Sequence, residues 1–159
     1  MTFNDLDELK KAGFIGFKKI SELFIDSSML PDIQGVYLVL NTAKKQGDFL
    51  QVGTGGHFKG KNPNVSINEL KSNWVDNTLV IYIGKATSLK SRLRQYFRFG
   101  QGKDIGHYGG RLIWQLKYSR DLVVCWKSTP IDDPRVLESE LIKQFISLNG
   151  KRPFANLVG

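Results

Sequence analysis

Apolar residues recur along this chain at two spacings. Three stretches are continuous or alternating in β-branched, aromatic and aliphatic residues and are bounded by turn formers. They are QGVYLVLN (34–41), LVIYIG (79–84) and DLVVCWKS (121–128), and each predicts a strand. Elsewhere apolar residues fall three and four apart, the helical spacing. Leu6 and Leu9 place a short helix in DLDELKK, with Asn4 or Asp5 as its cap. Ile20, Leu23 and Phe24 place a second in KKISELF. In SINELKSNWV (66–75), Ser66 and Glu69 stand at capping-box spacing. Thr87 or Ser88 caps a helix that runs to about Phe97, and GGRLIWQL starts another short one. Asp133 caps the last helix, with Pro134 in its tolerated first turn and Asn149–Gly150 as its stop.

The order is helix, strand, insertion, strand, helix, helix, strand, helix. It predicts an α/β fold, a small sandwich whose central three-stranded sheet, mixed or antiparallel, is flanked by helices. No repeat or linker divides the chain, so residues 1–159 are expected to form a single domain. Residues 1–30 would be a helical extension. Residues 42–78 or so would be an insertion between the first two strands, rich in Gly, Lys, Asn and Thr. Within it GDFLQVG could hold a short strand, and GTGGHFKGKNPN reads as a loop. Strand alternation puts Val36, Leu38 and Leu40 on one face and Tyr37 and Val39 on the other. In the second strand Leu79, Ile81 and Ile83 share a face, with Val80 and Tyr82 opposite.

Composition narrows the partners. Lys plus Arg number 23 against 15 Asp plus Glu, a formal charge of +8. That excess attracts polyanions, nucleic acid first among them. No apolar run approaches a membrane span, and the opening MTFNDLDELKKAGF lacks the apolar core of a secretory signal, so a cytoplasmic location is expected. The single cysteine, Cys125, excludes an internal disulfide and a cysteine-built zinc site and reads as a buried thiol.

Several residues carry candidate chemistry. Each of the first two strands presents one tyrosine, Tyr37 or Tyr82, on its less aliphatic side. Each also has a glycine two positions away, Gly35 or Gly84, that permits close approach. The helix SLKSRLRQYFR buries Leu89, Leu93 and Tyr96, with Arg92 at the border of that stripe, so Arg92 and Tyr96 can share a site. Lys90, Arg94 and Arg98 point elsewhere, as solvated or phosphate-contacting charges, and Lys85 lies in the turn before the helix. In the last helix Glu138 falls amid Leu141, Ile142 and Phe145. A carboxylate there requires a partner, either an arginine or a hard cation. His107 is a cap or surface residue, or else a DNA contact or proton carrier. Arg111 pairs with phosphate or braces the fold. Trp114 and Trp126 read as core. Lys59 and Lys61 are candidate backbone contacts in a solvated loop.

Gly35-Val36-Tyr37 followed by Tyr82-Ile83-Gly84 resembles the paired motif of the GIY-YIG nucleases. YIGKATSLKSRLRQYF (82–97) is similar to the matching segment of the UvrC N-terminal nuclease domain. LESELIKQF (137–145) and RPFAN (152–156) resemble the family's glutamate helix and terminal asparagine. The resemblance spans about residues 34–157 in the family's order. It implies a metal-dependent endonuclease hydrolysing phosphodiester bonds, in DNA more than RNA. Tyr37, with Lys85 nearby, would help activate water, and Tyr82 would contact the phosphate or the nucleophile. Arg92 would stabilise charge, and Glu138 would hold a single Mg²⁺ or Mn²⁺. Asn156 would orient the site and Tyr96 support it. One departure is the spacing of the two motif tyrosines, about 45 positions, where the family more often has a short hairpin. The alternative reading is a catalytically inactive nucleic-acid-binding module. Specificity would come from the extension, the insertion, a protein partner or a second copy of the chain.

Overall fold

The computed structural model describes residues 1–158. Its order is α1 (Leu6–Lys11), β1 (Ile15–Lys19), α2 (Ile20–Ile25), β2 (Gly35–Leu40), α3 (Ile67–Asn73), β3 (Val80–Ala86), α4 (Leu89–Gly100), β4 (Val123–Ser128) and α5 (Pro134–Asn149), with short 3-10 turns between. The caps follow the side-chain chemistry. Asp5, Ser66, Ser88 and Asp133 each accept a backbone N–H from the first turn of their helix. Gly150 ends α5 in the left-handed region, with φ +78°.

The sheet corrects the three-stranded expectation. It has four strands in the order β1-β4-β2-β3, and every pairing is antiparallel. The added strand, β1, begins just before the second expected helix and takes its two lysines. It lies at one edge, and its ladder breaks between Gly16 and Lys18, where Gly16 and Phe17 both have positive φ. A half-exposed strand with a glycine, two lysines and a bulge shows no period-2 pattern. Two further expectations change. GGRLIWQL forms a 3-10 turn, Arg111–Gln115. GDFLQVG forms no strand, only an isolated bridge from Phe49 to Leu116.

β2 is central and buried along its whole length, so each face carries its own core. Val36, Leu38, Leu40 and Cys125 pack against α1 and α5, through residues such as Leu9, Ile142 and Phe145. Tyr37, Val39, Val124 and Trp126 pack on the other side against α2, α4 and the 3-10 turn that carries Trp114. Cys125 is thus the buried thiol expected, its pKa pushed up by burial, and both tryptophans are core. The face assignment of β3 needs correction. Val39 pairs with Tyr82 and Leu40 with Val80, which leaves Ile81 as a bulged residue. Val80 and Ile83 therefore face the α5 core, and Ile81 and Tyr82 the α4 core.

The β2–β3 connection is tied to this frame by a buried glutamine. Gln115 donates through Nε2 to the carbonyls of Leu50 (3.2 Å) and Val65 (3.0 Å), and its Oε1 accepts the Val65 N–H (2.9 Å). Phe49 stacks on Phe154 of the C-terminal tail at a centroid distance of 5.7 Å, and Trp74 meets the same ring edge to face at 5.0 Å. A lone polar residue in the apolar run LIWQL is the mark of this brace. Its cost of burial is offset because each amide atom finds a backbone partner.

Candidate active site

The tail does more than pack. β3 is an edge strand, so its outward N–H and C=O groups lack a ladder partner. Ala155 donates its N–H to Ile81 O (2.9 Å). The side chain of Asn156 then takes both groups of Ile83: Oδ1 accepts the N–H and Nδ2 donates to the carbonyl, each at 2.9 Å. Asn156 imitates one residue of a neighbouring strand. Both of its amide atoms are used, and it fixes the backbone between Tyr82 and Lys85.

Beside that edge lies a cleft of about 490 Å³. Tyr37 of β2, Tyr82 and Lys85 of β3, Arg92 of α4 and Glu138 of α5 line it, and Tyr108–Arg111 and residues 155–158 complete its wall. Sheet register explains the tyrosines. Tyr37 stands opposite Gly84 and Val39 opposite Tyr82, so both rings rise from one face. A Cβ on Gly84 would fall within the Tyr37 ring, so glycine is what lets that ring lie across β3. Gly35 meets a different need. A Cβ there would collide with the Lys127 carbonyl and come within 2.8 Å of Leu89, so this glycine seats β2 against β4 and α4.

The Tyr37 and Tyr82 rings meet edge to face at 5.9 Å, and Tyr96 lies 6.3 and 5.9 Å from them. The Tyr96 hydroxyl donates to Gly110 O (2.7 Å), which fastens the 108–111 loop over the cleft. Burial pushes the Tyr37 phenol well above its ordinary value. Tyr82 adds to the rise and Arg92 opposes it. Tyr82 is also raised, by burial against the opposing effects of the Tyr37 hydroxyl and Arg92. Both shifts favour the protonated phenol, the form that can donate a hydrogen bond.

Opposite them sit the charges. Lys85 Nζ is 3.3 Å from Glu138 Oε1, with the side chains 44% and 19% exposed. Glu138 thus has a partner, a lysine where an arginine or a cation was expected. A pair this open to water contributes little stability. Arg92 forms no ion pair among the described residues, which leaves its guanidinium available to an anion. Among the described residues no three His, Cys, Asp or Glu side chains cluster as a metal cage. The carboxylate lining the cleft is Glu138.

The remaining candidates separate. Arg111 lines the cleft, and its guanidinium lies 5.2 Å from the Tyr108 ring. Lys61 Nζ stands 5.8 Å from that ring, beside the wall and not among the residues that line the cleft. Lys59 covers Phe58 instead, at 5.3 Å, and its N–H donates to Asp104. Lys90, Arg94 and Arg98 line a different depression, with Asp32 and Ser88 on the outer side of α4, and Arg94 donates to Ser27 Oγ (2.9 Å). His107 is neither a cap nor a surface residue. It is 1% exposed behind Tyr96, ring to ring at 4.8 Å. Neither ring nitrogen has a partner, and burial, reinforced by Arg92, lowers its pKa to about 4. Sequence reasoning passed over Tyr108 and the glycines Gly109 and Gly110. Their signal was the pair of glycines after an aromatic residue in GHYGG, a place for close backbone approach.

No family model matches the chain, and no solved structure matches it. The chain is 35% identical over 69 residues to the UvrABC system protein C of Nautilia profundicola. Those residues make up 43% of this chain and 11% of that protein. Part of the chain is therefore similar to UvrABC system protein C, and the chain spans a small fraction of that relative's length.

Proposed function

We propose that this chain is a GIY-YIG endonuclease that hydrolyses phosphodiester bonds in DNA with one bound divalent ion. The observation that carries the reading is the cleft itself. Four elements bring two protonated phenols, two cationic side chains and one carboxylate to one concave wall. Arg92 binds and neutralises the scissile phosphate, gaining strength as charge builds in the transition state. Tyr37 and Tyr82 donate hydrogen bonds to the phosphate oxygens, and their raised pKa values suit them to keep that proton as charge builds there. Lys85 adds positive charge at the mouth. Asn156 and Tyr96 position β3 and the covering loop.

A hard cation fits the donor set. Mg²⁺ or Mn²⁺ keeps most of its waters and binds through one or two carboxylates plus phosphate oxygens, and Glu138 is available for that. When bound, the ion supplies charge to neutralise phosphate oxygens and to stabilise the leaving oxygen. The similarity of part of the chain to UvrABC system protein C supports the nuclease reading of the motif segment. One observation favours a second reading, a binding module without turnover: Lys85 already occupies one oxygen of Glu138. Purified protein incubated with supercoiled plasmid, single strands, branched DNA and RNA separates the two. The nuclease reading predicts cleavage of a DNA substrate with Mg²⁺ or Mn²⁺ and its loss with EDTA. Binding without cleavage of any substrate favours the second.

A further inference from the structure

A second cavity, of about 710 Å³, adjoins the cleft and shares two of its walls, Lys85 and Arg92. Its far side is the loop from β4 to α5, and Ile131 stands at the tip, 92% exposed. Single apolar residues on a surface are common and need no account. Ile25 is one, 90% exposed at the end of α2. Ile131 differs in how it is held. The Gln34 amide donates to the carbonyls of Thr129 (2.5 Å) and Asp132 (3.0 Å), and the Gln34 carbonyl accepts the Thr129 N–H (2.9 Å). Three hydrogen bonds from one residue clamp both sides of the tip, so Ile131 is kept from folding back onto the protein.

The charges around the tip say which part of DNA it meets. Asp132, next to Ile131, is exposed, and Asp133 is bound to Arg135 at 3.1 Å while capping α5. A tip with a free carboxylate repels phosphates. On a duplex held against this cavity, Lys85 and Arg92 on the opposite wall would take the backbone, and the apolar tip would face the bases. Proteins that deform duplexes place an apolar side chain in this way between base steps, partly unstacking them.

We infer that Ile131 is a wedge: carried on the Gln34-clamped loop, it enters a base step beside the scissile phosphate and kinks the duplex into the cleft. The inference rests on the reading of the cleft as a DNA site. Its direct readout is DNA shape, which does not need turnover.

The test uses the full chain, a short duplex labelled at both ends for energy transfer, and Ca²⁺ in place of Mg²⁺. Wild-type protein should raise the transfer on binding. Ile131→Ser should bind within about threefold of wild type yet leave the transfer near that of free DNA. Because Ile131 is on the surface, circular dichroism should show both proteins equally folded. In Mg²⁺, single-turnover cleavage of a perfect duplex by Ile131→Ser should fall roughly 10- to 100-fold. Cleavage of the same duplex with a mismatch at the cut should fall less than about threefold, because a mismatched step is already partly unstacked. Gln34→Ala should fall between the two proteins. Equal energy transfer with wild type and Ile131→Ser, or none with either, overturns the wedge even if cleavage stands. Bending that depends on Ile131, without cleavage by wild type, keeps the wedge and sinks the nuclease. Failure to bind any duplex overturns both.

Discussion

Tyr37 is the residue whose chemistry the structure changes most. A phenol proposed to activate water would be expected to lose its proton easily, but burial drives it the other way. As a donor, its hydroxyl should matter to rate more than to binding. Tyr37→Phe keeps the ring that fills the space above Gly84, so the fold should hold. Single-turnover cleavage should drop roughly 100- to 1,000-fold, the range for one lost donor to a developing oxyanion. Affinity in Ca²⁺ should change little, and a rate near wild type would remove the hydroxyl from the mechanism. His107 makes a pH prediction. Its folded pKa is depressed to about 4, while the unfolded chain takes up its proton near 6.5. The unfolded state therefore binds more protons as pH falls through that window, and stability declines from about pH 6.5 towards 4. The urea midpoint should fall between pH 7 and pH 5 in wild type. His107→Phe should flatten the fall; an unchanged slope would contradict the buried neutral imidazole.

Among the elements, α5 and β2 were the most legible because their patterns have a single meaning. Asp133-Pro134 opens α5, Gly150 closes it, and its apolar stripe is consistent with burial on one side. The run GVYLVL is β-rich and lies buried between two strands. β1 was hidden because an edge strand needs only one buried partner, and its exposed lysines suit a helix equally well. The bulge at Ile81 was hidden because the sequence of β3 alternates well enough for either phase. Asn156 was visible as a candidate, yet its geometry came only with the edge of β3 and the returning tail. Its substitution is an element-level prediction. Asn156→Ala leaves a buried N–H and C=O of Ile83 unpaired and should cost about 1–3 kcal/mol, read from denaturant unfolding. Hydrogen exchange should rise locally at the Ile83 amide. Undisturbed protection at that amide would show that the tail is held by something else.

For the whole molecule, charge and cleft must work together. The formal charge of +8 is the excess of 23 Lys and Arg over 15 Asp and Glu along the whole chain; of those cations, Lys85, Arg92 and Arg111 line the cleft, Lys61 stands beside Tyr108 of its wall, and Lys90, Arg94 and Arg98 form an outer ridge. The sequence displayed the charge and each of these residues, and the fold decided which of them share a surface. If DNA runs through the cleft alone, Arg94→Ala with Arg98→Ala should leave the salt dependence of binding unchanged. If it also wraps α4, the log–log slope should lessen by about 0.9 for each lost phosphate contact. Lys61→Ala, beside Tyr108 of the cleft wall, should reduce the slope, whereas Lys59→Ala, turned onto Phe58, should not. A reversal of those two lysines would place the β2–β3 connection against DNA in a different way.

The proposed function turns on Glu138 as the ligand of a divalent ion, and one measurement bears on that role most directly. Single-turnover cleavage of a DNA substrate is followed as Mg²⁺ is raised, for wild type and for Glu138→Gln, with folding checked by circular dichroism and binding measured in Ca²⁺. Glu138→Gln keeps the shape of the side chain and removes its charge. It also frees Lys85, which is half-exposed and remains solvated. Wild type should show a saturable Mg²⁺-dependent rate. The variant should be slower by at least about 1,000-fold, a loss of about 4 kcal/mol of transition-state stabilisation, with duplex binding retained. Cleavage by a folded Glu138→Gln protein at the wild-type rate and with the same Mg²⁺ dependence would rule out Glu138 as the metal ligand.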